Sequence, residues 1–257
     1  MPRLHLFEFE DFAWFPTQIR NYGTDFLQFV SNKFNLYKGI APVLAKAVKQ
    51  SGKTQIIDLA SGGGGGLLTV AKTLKEEIPE LKITLTDYYP NISAFEAAVE
   101  QGGEMYAYEP NSVNALDVPA KLDGFRTQFL SFHHFRPQQA QQILQNAVDR
   151  KAPIAIFEAQ DRIPTDFLKN LLSPVTVLLV TPFIRPFKLG RIIFTYLIPI
   201  VPLFVMWDGV VSVLRTYRVK EMQAMVEKLE GAEGYQWDID KNKDGPTLIL
   251  YLIGIPE

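Results

Sequence analysis

The sequence predicts an α/β protein built on a doubly wound sheet of seven strands. Short apolar runs typical of buried strands alternate with segments of helical spacing, as this fold class requires. The chain has 257 residues and is 47% apolar, which is enough for one full-sized domain with an elaboration. An apolar strand that runs through a glycine turn into a helix opens the pattern at residues 55–77.

The strand predictions rest on apolar and β-branched runs bounded by turn residues. Strands are predicted over residues 55–59, 82–87, 105–108, 125–132, 153–158, 235–239 and 247–255. Helices are predicted over residues 67–77, 137–150 and 219–230, where Pro137 and Gly231 supply a start and a stop signal. No internal repeat is visible.

Residues 55–66 are the most informative segment, because an apolar strand ends there in a carboxylate and turns on five consecutive glycines. Such a turn brings bare backbone against a small ligand. The dinucleotide register G-x-G-x-x-G fails, since its third position falls on Leu67 or Leu68. Asp58 at the strand tip would repel a pyrophosphate but suits an ammonium or sulfonium charge. S-adenosylmethionine carries both charges.

Residues 58–64, Asp-Leu-Ala-Ser-Gly-Gly-Gly, resemble the first motif of the class I S-adenosylmethionine-dependent methyltransferases. That motif is an acid followed by G-x-G-x-G, and Ala60 stands in its first glycine position. The resemblance implies S-adenosyl-L-methionine as the cofactor, held by Asp58, Ala60, Ser61, Gly62 and Gly64. It also implies a Rossmann-like sheet that the C-terminal hairpin completes with an antiparallel strand.

Further motifs follow in the order of that family. Asp87 ends the second predicted strand about 20 residues after the turn, the offset at which a carboxylate meets ribose hydroxyls, and Tyr88 follows it. Residues 114–119 resemble the segment D-A-x-D-L-P beside the adenine, with Asn114 in place of the first acid. The predicted cofactor site therefore includes Asn114, Ala115 and Asp117, although Asp117 fits a plain turn equally well.

The fourth predicted strand leads into Phe132-His133-His134-Phe135, similar to the Leu-His-His of small-molecule methyltransferases. Ser131, at the end of this strand, is included in the cofactor site. The sulfonium supplies the leaving group, so the protein must place a nucleophile and, for a hydroxyl acceptor, remove its proton. His133 or His134 is the expected base, with packing or capping as the alternative. Asp208 is either a helix cap or a site acid.

Residues 51–159 are the predicted cofactor-binding half of the sheet domain, and residues 218–257 are the predicted helix and hairpin that complete the sheet. Two further regions lie outside them. Residues 1–50 are rich in aromatics and are expected to form a helical lid over the cofactor, with packing against the sheet as the alternative. Arg20 in this region is a candidate partner for the cofactor's carboxylate, or a solvated surface arginine.

Residues 160–217 are predicted to form a helical insertion with two apolar stretches, 173–184 and 192–207, separated by three cations. Neither reaches the roughly 20 residues needed to span a bilayer, and prolines interrupt the second. Three interpretations remain open: a buried subdomain that walls an apolar pocket, a homodimer interface, and a peripheral membrane contact through 173–207.

Composition narrows the function. A net charge of −2 with scattered cations argues against nucleic acid as the partner. The chain has no cysteine, which removes disulfides and thiolate metal sites, and its three histidines have no acids at ligand spacing, so no metal is expected. Acids interrupt the N-terminus too early for a signal peptide, which makes a cytoplasmic location the expectation.

The sequence thus predicts methyl transfer from S-adenosylmethionine to a small or lipid-like apolar acceptor, with O-methylation favoured because it uses a base. Two alternatives stay open. One is a non-catalytic or membrane-associated methyltransferase-like binding protein. The other, disfavoured by the glycine register and Asp58, is a nicotinamide-dependent oxidoreductase.

Overall fold

A computed structural model describes residues 1–257 and contains one seven-stranded sheet of order β3-β2-β1-β4-β5-β7-β6. The strands are β1 (Gln55–Asp58), β2 (Lys82–Leu85), β3 (Tyr106–Tyr108), β4 (Phe125–Phe129), β5 (Ile154–Glu158), β6 (Tyr235–Asn242) and β7 (Ile249–Pro256). Neighbouring strands are parallel from β3 to β5, and β7 runs antiparallel to both β5 and β6. The predicted fold class is confirmed, including the antiparallel C-terminal strand.

Ten α-helices cover the faces and one end of the sheet. They are α1 (Thr17–Lys33), α2 (Ala41–Ser51), α3 (Gly65–Glu77), α4 (Ile92–Gly102), α5 (Pro137–Asp149), α6 (Pro164–Leu171), α7 (Ser173–Val180), α8 (Leu189–Ile192), α9 (Ile200–Arg215) and α10 (Val219–Val226). One buried apolar cluster joins the sheet to α2, α3 and α4, and a second joins it to α5 and α10. Both faces of the sheet are therefore covered, as a parallel sheet needs.

The strand register brings the functional loops to one edge. Asp58, the last residue of β1, lies beside Leu85 of β2 on one side and Thr127 of β4 on the other. The carboxyl ends of parallel strands meet at the same edge, where open α/β sheets bind their ligands. The segments after β1, β2, β4 and β5 therefore face one another.

Strand β4 is shorter than predicted. It ends at Phe129 because Leu130 turns the backbone into the left-handed region, with φ of 49°. Phe132–His134 then forms a turn of 3-10 helix. This change of direction carries Ser131 and the two histidines away from the sheet.

The N-terminal region packs on both the sheet and the insertion. Tyr37 and helix α2 belong to the buried cluster on the sheet, whereas a third buried apolar cluster joins Phe15, Ile19, Tyr22 and Phe26 to residues of α7 and α9. Helix α1 and the insertion therefore form one helical layer. Helix α1 also contacts the glycine turn, which places this layer beside the predicted cofactor site.

No single helix is both long and apolar enough to cross a bilayer. The segments Leu189–Leu197 and Ile200–Arg215 meet that length and composition only together, and a bend of 78° separates them.

Candidate active site

A cavity of about 860 Å³ lies at the carboxyl edge of the parallel strands. Loops after β1, β2, β4 and β5 form its floor, and α1, α6 and α7 form its walls. This volume falls within the range of small-molecule and cofactor sites.

The cavity collects most of the residues that the sequence selected. Those that line it are Arg20, Asp58, Ala60, Ser61, Gly62, Gly64, Asp87, Tyr88, Asn114, Ala115, Ser131 and His134. Asp117, His133 and Asp208 do not line it. Asp117 is exposed on the surface, which matches its alternative reading as a turn acid.

The glycine turn owes its sequence to backbone angles and to packing. Gly62 and Gly64 have φ of 54° and 78°, and Ala60 shares the left-handed region with φ of 53°. A Cβ on Gly65 would lie 2.8 Å from Cα of Gln28, and one on Gly66 would lie 2.5 Å from Cβ of Phe129. The glycines therefore let α1 and β4 pack against the start of α3.

Two carboxylates hold the turn to the sheet. Asp58 is buried and accepts a hydrogen bond from Thr127 Oγ1 at 2.6 Å, and burial raises its pKa to about 7. Asp87 Oδ2 accepts from the backbone N–H of Gly62 at 2.7 Å, and its Oδ1 accepts from that of Tyr89 at 2.8 Å. Burial also raises the pKa of Asp87. Both carboxylates line the cavity, so both can accept hydrogen bonds from the ammonium or hydroxyls of a ligand.

Arg20 is buried, not solvated, and faces the cavity. Its guanidinium donates to the carbonyl oxygens of Glu10 at 3.1 Å and Phe12 at 2.7 Å and lies 4.2 Å from the ring centroid of Tyr89. No carboxylate lies within ion-pair distance of it. A buried cation without a counter-ion suits an anionic group in the cavity.

His133 does not reach the cavity. Its buried ring places Nδ1 2.9 Å from Glu158 Oε2, and its backbone N–H donates to Glu158 Oε1. Burial lowers the pKa of His133, against the pull of the Glu158 carboxylate. The neutral ring is therefore a donor that fixes the loop after β4 to β5. The expectation that His133 acts as a base does not fit this position.

His134 does face the cavity, but among carboxylates. Its Nδ1 lies 2.9 Å from Asp11 Oδ1 and 3.4 Å from Glu8 Oε2, and its Nε2 lies 3.4 Å from Glu10 Oε1. Burial alone would lower the pKa of His134, but these three acids outweigh it and raise that pKa well above its ordinary value. A protonated ring cannot take another proton, so the base role expected for His134 conflicts with its surroundings.

Asp208 is a cap. Its Oδ1 accepts from the backbone N–H of Phe9 at 2.9 Å and its Oδ2 from that of Glu10 at 3.1 Å, at the 3-10 turn Phe9–Asp11. Burial raises the pKa of Asp208 to about 7. Of its two predicted roles, the structure favours the cap, although the capped turn belongs to the N-terminal segment and not to α9.

Acids and histidines meet here from distant parts of the sequence. Glu8, His133 and His134 each place a ligand atom within 4.8 Å of the others, as three metal ligands would. Arg215, however, lies in the same cluster, with Nη1 3.0 Å from Glu8 Oε1 and Nη2 2.7 Å from Asp11 Oδ2. Its guanidinium supplies the positive charge that these acids need, which weakens the case for a metal ion.

The cavity lining also carries unpartnered polar residues, of which the sequence singled out only Ser131. Gln160 Nε2, Ser131 Oγ and Ser173 Oγ are buried, face the cavity and have no hydrogen-bond partner within the chain. Asn170 lines the cavity as well. Gln160 was recognisable, because it lies two residues after the end of β5, at the ligand-binding edge. Ser173 was not, since it opens an apolar stretch.

No protein-family model matches the sequence, and no curated protein matches it. Among solved structures, the plantazolicin methyltransferase BpumL in complex with SAH superposes with a TM-score of 0.57 at 9% identity, over 94% of this chain and 96% of that one. A putative O-methyltransferase from Nostoc punctiforme PCC 73102 gives 0.51 at 15% identity, over 89% and 59%. The calicheamicin biosynthesis methyltransferase CalO1, SAH-bound, gives 0.50 at 16% identity, over 89% and 54%.

The chain spans little more than half the length of the last two proteins. Identities this low describe a common fold and leave the acceptor of this chain open.

Proposed function

We propose that this chain, which has the fold of the class I S-adenosylmethionine-dependent methyltransferases, transfers a methyl group to a small or lipid-like apolar acceptor, at oxygen by preference. The observation that carries the proposal is the cavity at the strand edge. Residues chosen from four separate sequence motifs, together with Arg20, converge on it.

The residues present fit the cofactor. Arg20 offers a buried cation without a counter-ion to the carboxylate of S-adenosylmethionine, and Asp58 a carboxylate to its ammonium. Asp87 is suited to the ribose hydroxyls, and Asn114 with Ala115 to the adenine edge. When bound, the cofactor supplies an activated methyl group. The chain's own task is to bind, orient and exclude water.

The rest of the lining suits an acceptor with an apolar body and a polar end. Leu27, Val30 and Phe135 line the cavity, as do the buried donors of Gln160 and Ser173. An oxygen atom of the acceptor would give these donors the hydrogen bonds that they lack within the chain. This supports an oxygen-bearing acceptor.

The proton of a hydroxyl acceptor needs a base other than the two histidines. Among the carboxylates near His134, Asp11 has a lowered pKa, because its hydrogen bond and charge interaction with His134 and the charge of Arg215 outweigh the effect of burial. Glu10 lines the same part of the cavity, and burial raises its pKa. A raised pKa makes a carboxylate a stronger base, so Glu10 is the group best suited to take the proton.

Cofactor binding is tested by calorimetry with S-adenosylhomocysteine. Asp87→Ala removes an acceptor for ribose hydroxyls, and we expect a loss of about 1.5–3 kcal/mol, roughly tenfold to hundredfold in affinity. Asp117→Ala is the matched control, because this exposed acid lies outside the cavity, and it should bind like the parent. If Asp87→Ala binds S-adenosylhomocysteine as tightly as the parent, the cofactor does not bind at this carboxylate.

Two further measurements separate the alternative functions. Binding of S-adenosylhomocysteine without turnover on any acceptor would indicate a methyltransferase-like binding protein. Tight binding of NADH in a fluorescence titration, with none of S-adenosylhomocysteine, would indicate an oxidoreductase.

The base is tested once a screen of apolar alcohols, phenols and carboxylic acids has found a working acceptor. Glu10→Gln should lower turnover by about 10²- to 10⁴-fold while cofactor affinity is retained. Tyr217→Phe is the control, because its hydroxyl donates to the carbonyl oxygen of Phe135 and does not line the cavity. Near-parental turnover in Glu10→Gln would indicate catalysis by positioning alone.

A further inference from the structure

The insertion displays a large apolar surface, here called the apolar face. It consists of exposed side chains from α6 to α9 and their connections: Leu168, Leu171, Leu172, Val175, Leu178, Leu179, Phe183, Phe187, Leu189, Tyr196, Leu197, Ile198, Ile200 and Leu203. Leu179 and Leu197 are 67% and 77% exposed. Single exposed apolar residues are ordinary, but many in one short segment indicate an interaction surface.

Burial inside the protein does not account for this composition. The same helices turn other residues inward, where Val177, Val201 and Phe204 pack against α1. The cavity wall that they contribute is polar, with Lys169, Asn170 and Ser173. The expectation that apolar residues of the insertion line the acceptor pocket is therefore not met, because these residues point outward.

The charges around the apolar face are positive. Residues 167–207 contain no Asp or Glu and four cations, Lys169, Arg185, Lys188 and Arg191. Lys169 pairs with Asp166, and Lys188 and Arg191 pair with Asp25 of α1. Arg185 is exposed and donates only to carbonyl oxygens of its own loop, which leaves its charge without a counter-ion. This combination is complementary to a bilayer with anionic headgroups.

The apolar face begins where the cavity wall ends. Thr176 of α7 lines the cavity. Residues three and four apart are neighbours on a helix surface, so Leu172 and Leu179 flank Thr176. Both leucines belong to the apolar face and are more than half exposed. A molecule at this face therefore lies next to the cavity.

We infer that the apolar face docks on a bilayer containing anionic lipid, and that the acceptor is a membrane-resident molecule that enters the cavity along α7. The docking stands on the surface alone, whereas the acceptor class rests on the proposed methyl transfer. A second copy of the chain fits less well, since a symmetric contact would set residues 167–207, which contain no acid, against themselves and offer Arg185 no counter-ion.

Docking is tested by flotation of the full chain with vesicles of phosphatidylcholine, alone and mixed with phosphatidylglycerol. The parent should float with the mixed vesicles, and high salt should reduce its bound fraction. Leu179→Asp combined with Leu197→Asp should lower that fraction about tenfold or more. Phe34→Asp is the control, because Phe34 is also apolar and more than half exposed but lies at the end of α1, and it should float like the parent.

Light scattering of the same proteins shows whether a second copy of the chain covers the apolar face instead. A parent that fails to float, or that forms a dimer which Leu179→Asp and Leu197→Asp dissociate, would overturn the inference in favour of a contact between copies.

The position of the cavity edge is tested with spin labels, which the absence of cysteine makes site-specific. Leu172→Cys, Leu179→Cys and Phe34→Cys each carry one nitroxide. On mixed vesicles the first two labels should gain collision with oxygen and lose collision with a water-soluble nickel complex, while the third is unchanged. If the collision rates of the labels at positions 172 and 179 do not change, the cavity edge does not lie at the membrane. Calorimetry with S-adenosylhomocysteine on these variants tells a failed docking surface from a failed cofactor site.

Discussion

At the scale of single residues, Ala60 carries a backbone conformation that its side chain disfavours. Its φ of 53° lies in the left-handed region, which costs a residue with a Cβ about 1–2 kcal/mol. Glycine removes this strain but adds about 0.4–1 kcal/mol of entropy to the unfolded chain. We therefore expect Ala60→Gly to raise the free energy of unfolding by about 0.5–1 kcal/mol in urea titrations.

The control for Ala60→Gly is Ala97→Gly in the interior of α4, which should lower that free energy by about 0.5–1 kcal/mol. A loss of stability in both variants would mean that Ala60 makes contacts worth more than its strain. The sequence showed Ala60 only as a small residue in a glycine position, since φ is not readable from composition.

His134 should make stability depend on pH. Its folded-state pKa is raised above its unfolded value of about 6.5, so its contribution is complete below that pH and is lost as the pH rises through the folded pKa. We expect the difference in unfolding free energy between parent and His134→Gln to be largest near pH 6.5, the unfolded value, and to shrink as the pH rises through the folded pKa. Urea titrations across that range measure it. A difference independent of pH would show that the ring is neutral in the folded protein.

At the scale of elements, the glycine turn fixes how α1 and α3 pack. A methyl group on Gly65 would come within 2.8 Å of the backbone of α1 at Gln28, and backbone cannot swing aside as a side chain does. We expect Gly65→Ala to lower the free energy of unfolding by about 1–3 kcal/mol and to weaken binding of S-adenosylhomocysteine. Gly234→Ala meets nothing within 4 Å and should be close to neutral. Equal stability of the two variants would contradict this account.

The sheet was predictable from sequence because its signals are local. Each parallel strand is a short apolar run, and the register then places Asp58 and Asp87 at one edge. The predicted end of β4 at residue 132 was wrong, since a leucine gives no sequence signal for the left-handed backbone that Leu130 adopts. The apolar stretches of the insertion were read as helical, but hydropathy does not tell a buried face from an exposed one. The domain limits and the cytoplasmic location stay predictions.

At the scale of the whole molecule, a buried ion cluster joins the N-terminal segment to the insertion. Arg215 of α9 lies 3.0 Å from the fully buried Glu8 and 2.7 Å from Asp11. Arg215→Met leaves a carboxylate buried without its cation, and we expect a loss of about 3–5 kcal/mol in unfolding free energy. Adding Glu8→Gln should recover part of it. A double-mutant cycle in urea measures the coupling, and simple additivity would mean that the pair does not interact.

This cluster lay beyond sequence reasoning, because its members come from three segments that no spacing rule connects. Glu8, His134 and Arg215 meet only after the chain has folded. The local motif around His133 and His134 was recognisable, but the role expected for it was not, since the acids that set the protonation of His134 lie more than a hundred residues away.

The N-terminal segment is fastened across nearly the whole length of the chain. Its bonds to α9 join residues 198 to 212 positions apart, including Glu10 to Asp208 and the Arg3 side chain to the backbone of Arg215. Closing so long a loop costs conformational entropy that nearby contacts must first offset, and contacts of high sequence separation form late in folding. The sheet and the glycine turn can thus assemble before Glu10, Asp11 and Arg20 are set in place. We therefore expect residues 4–12, which lie over the cavity, to be ordered last and released first, and their hydrogen exchange should outpace that of the strands.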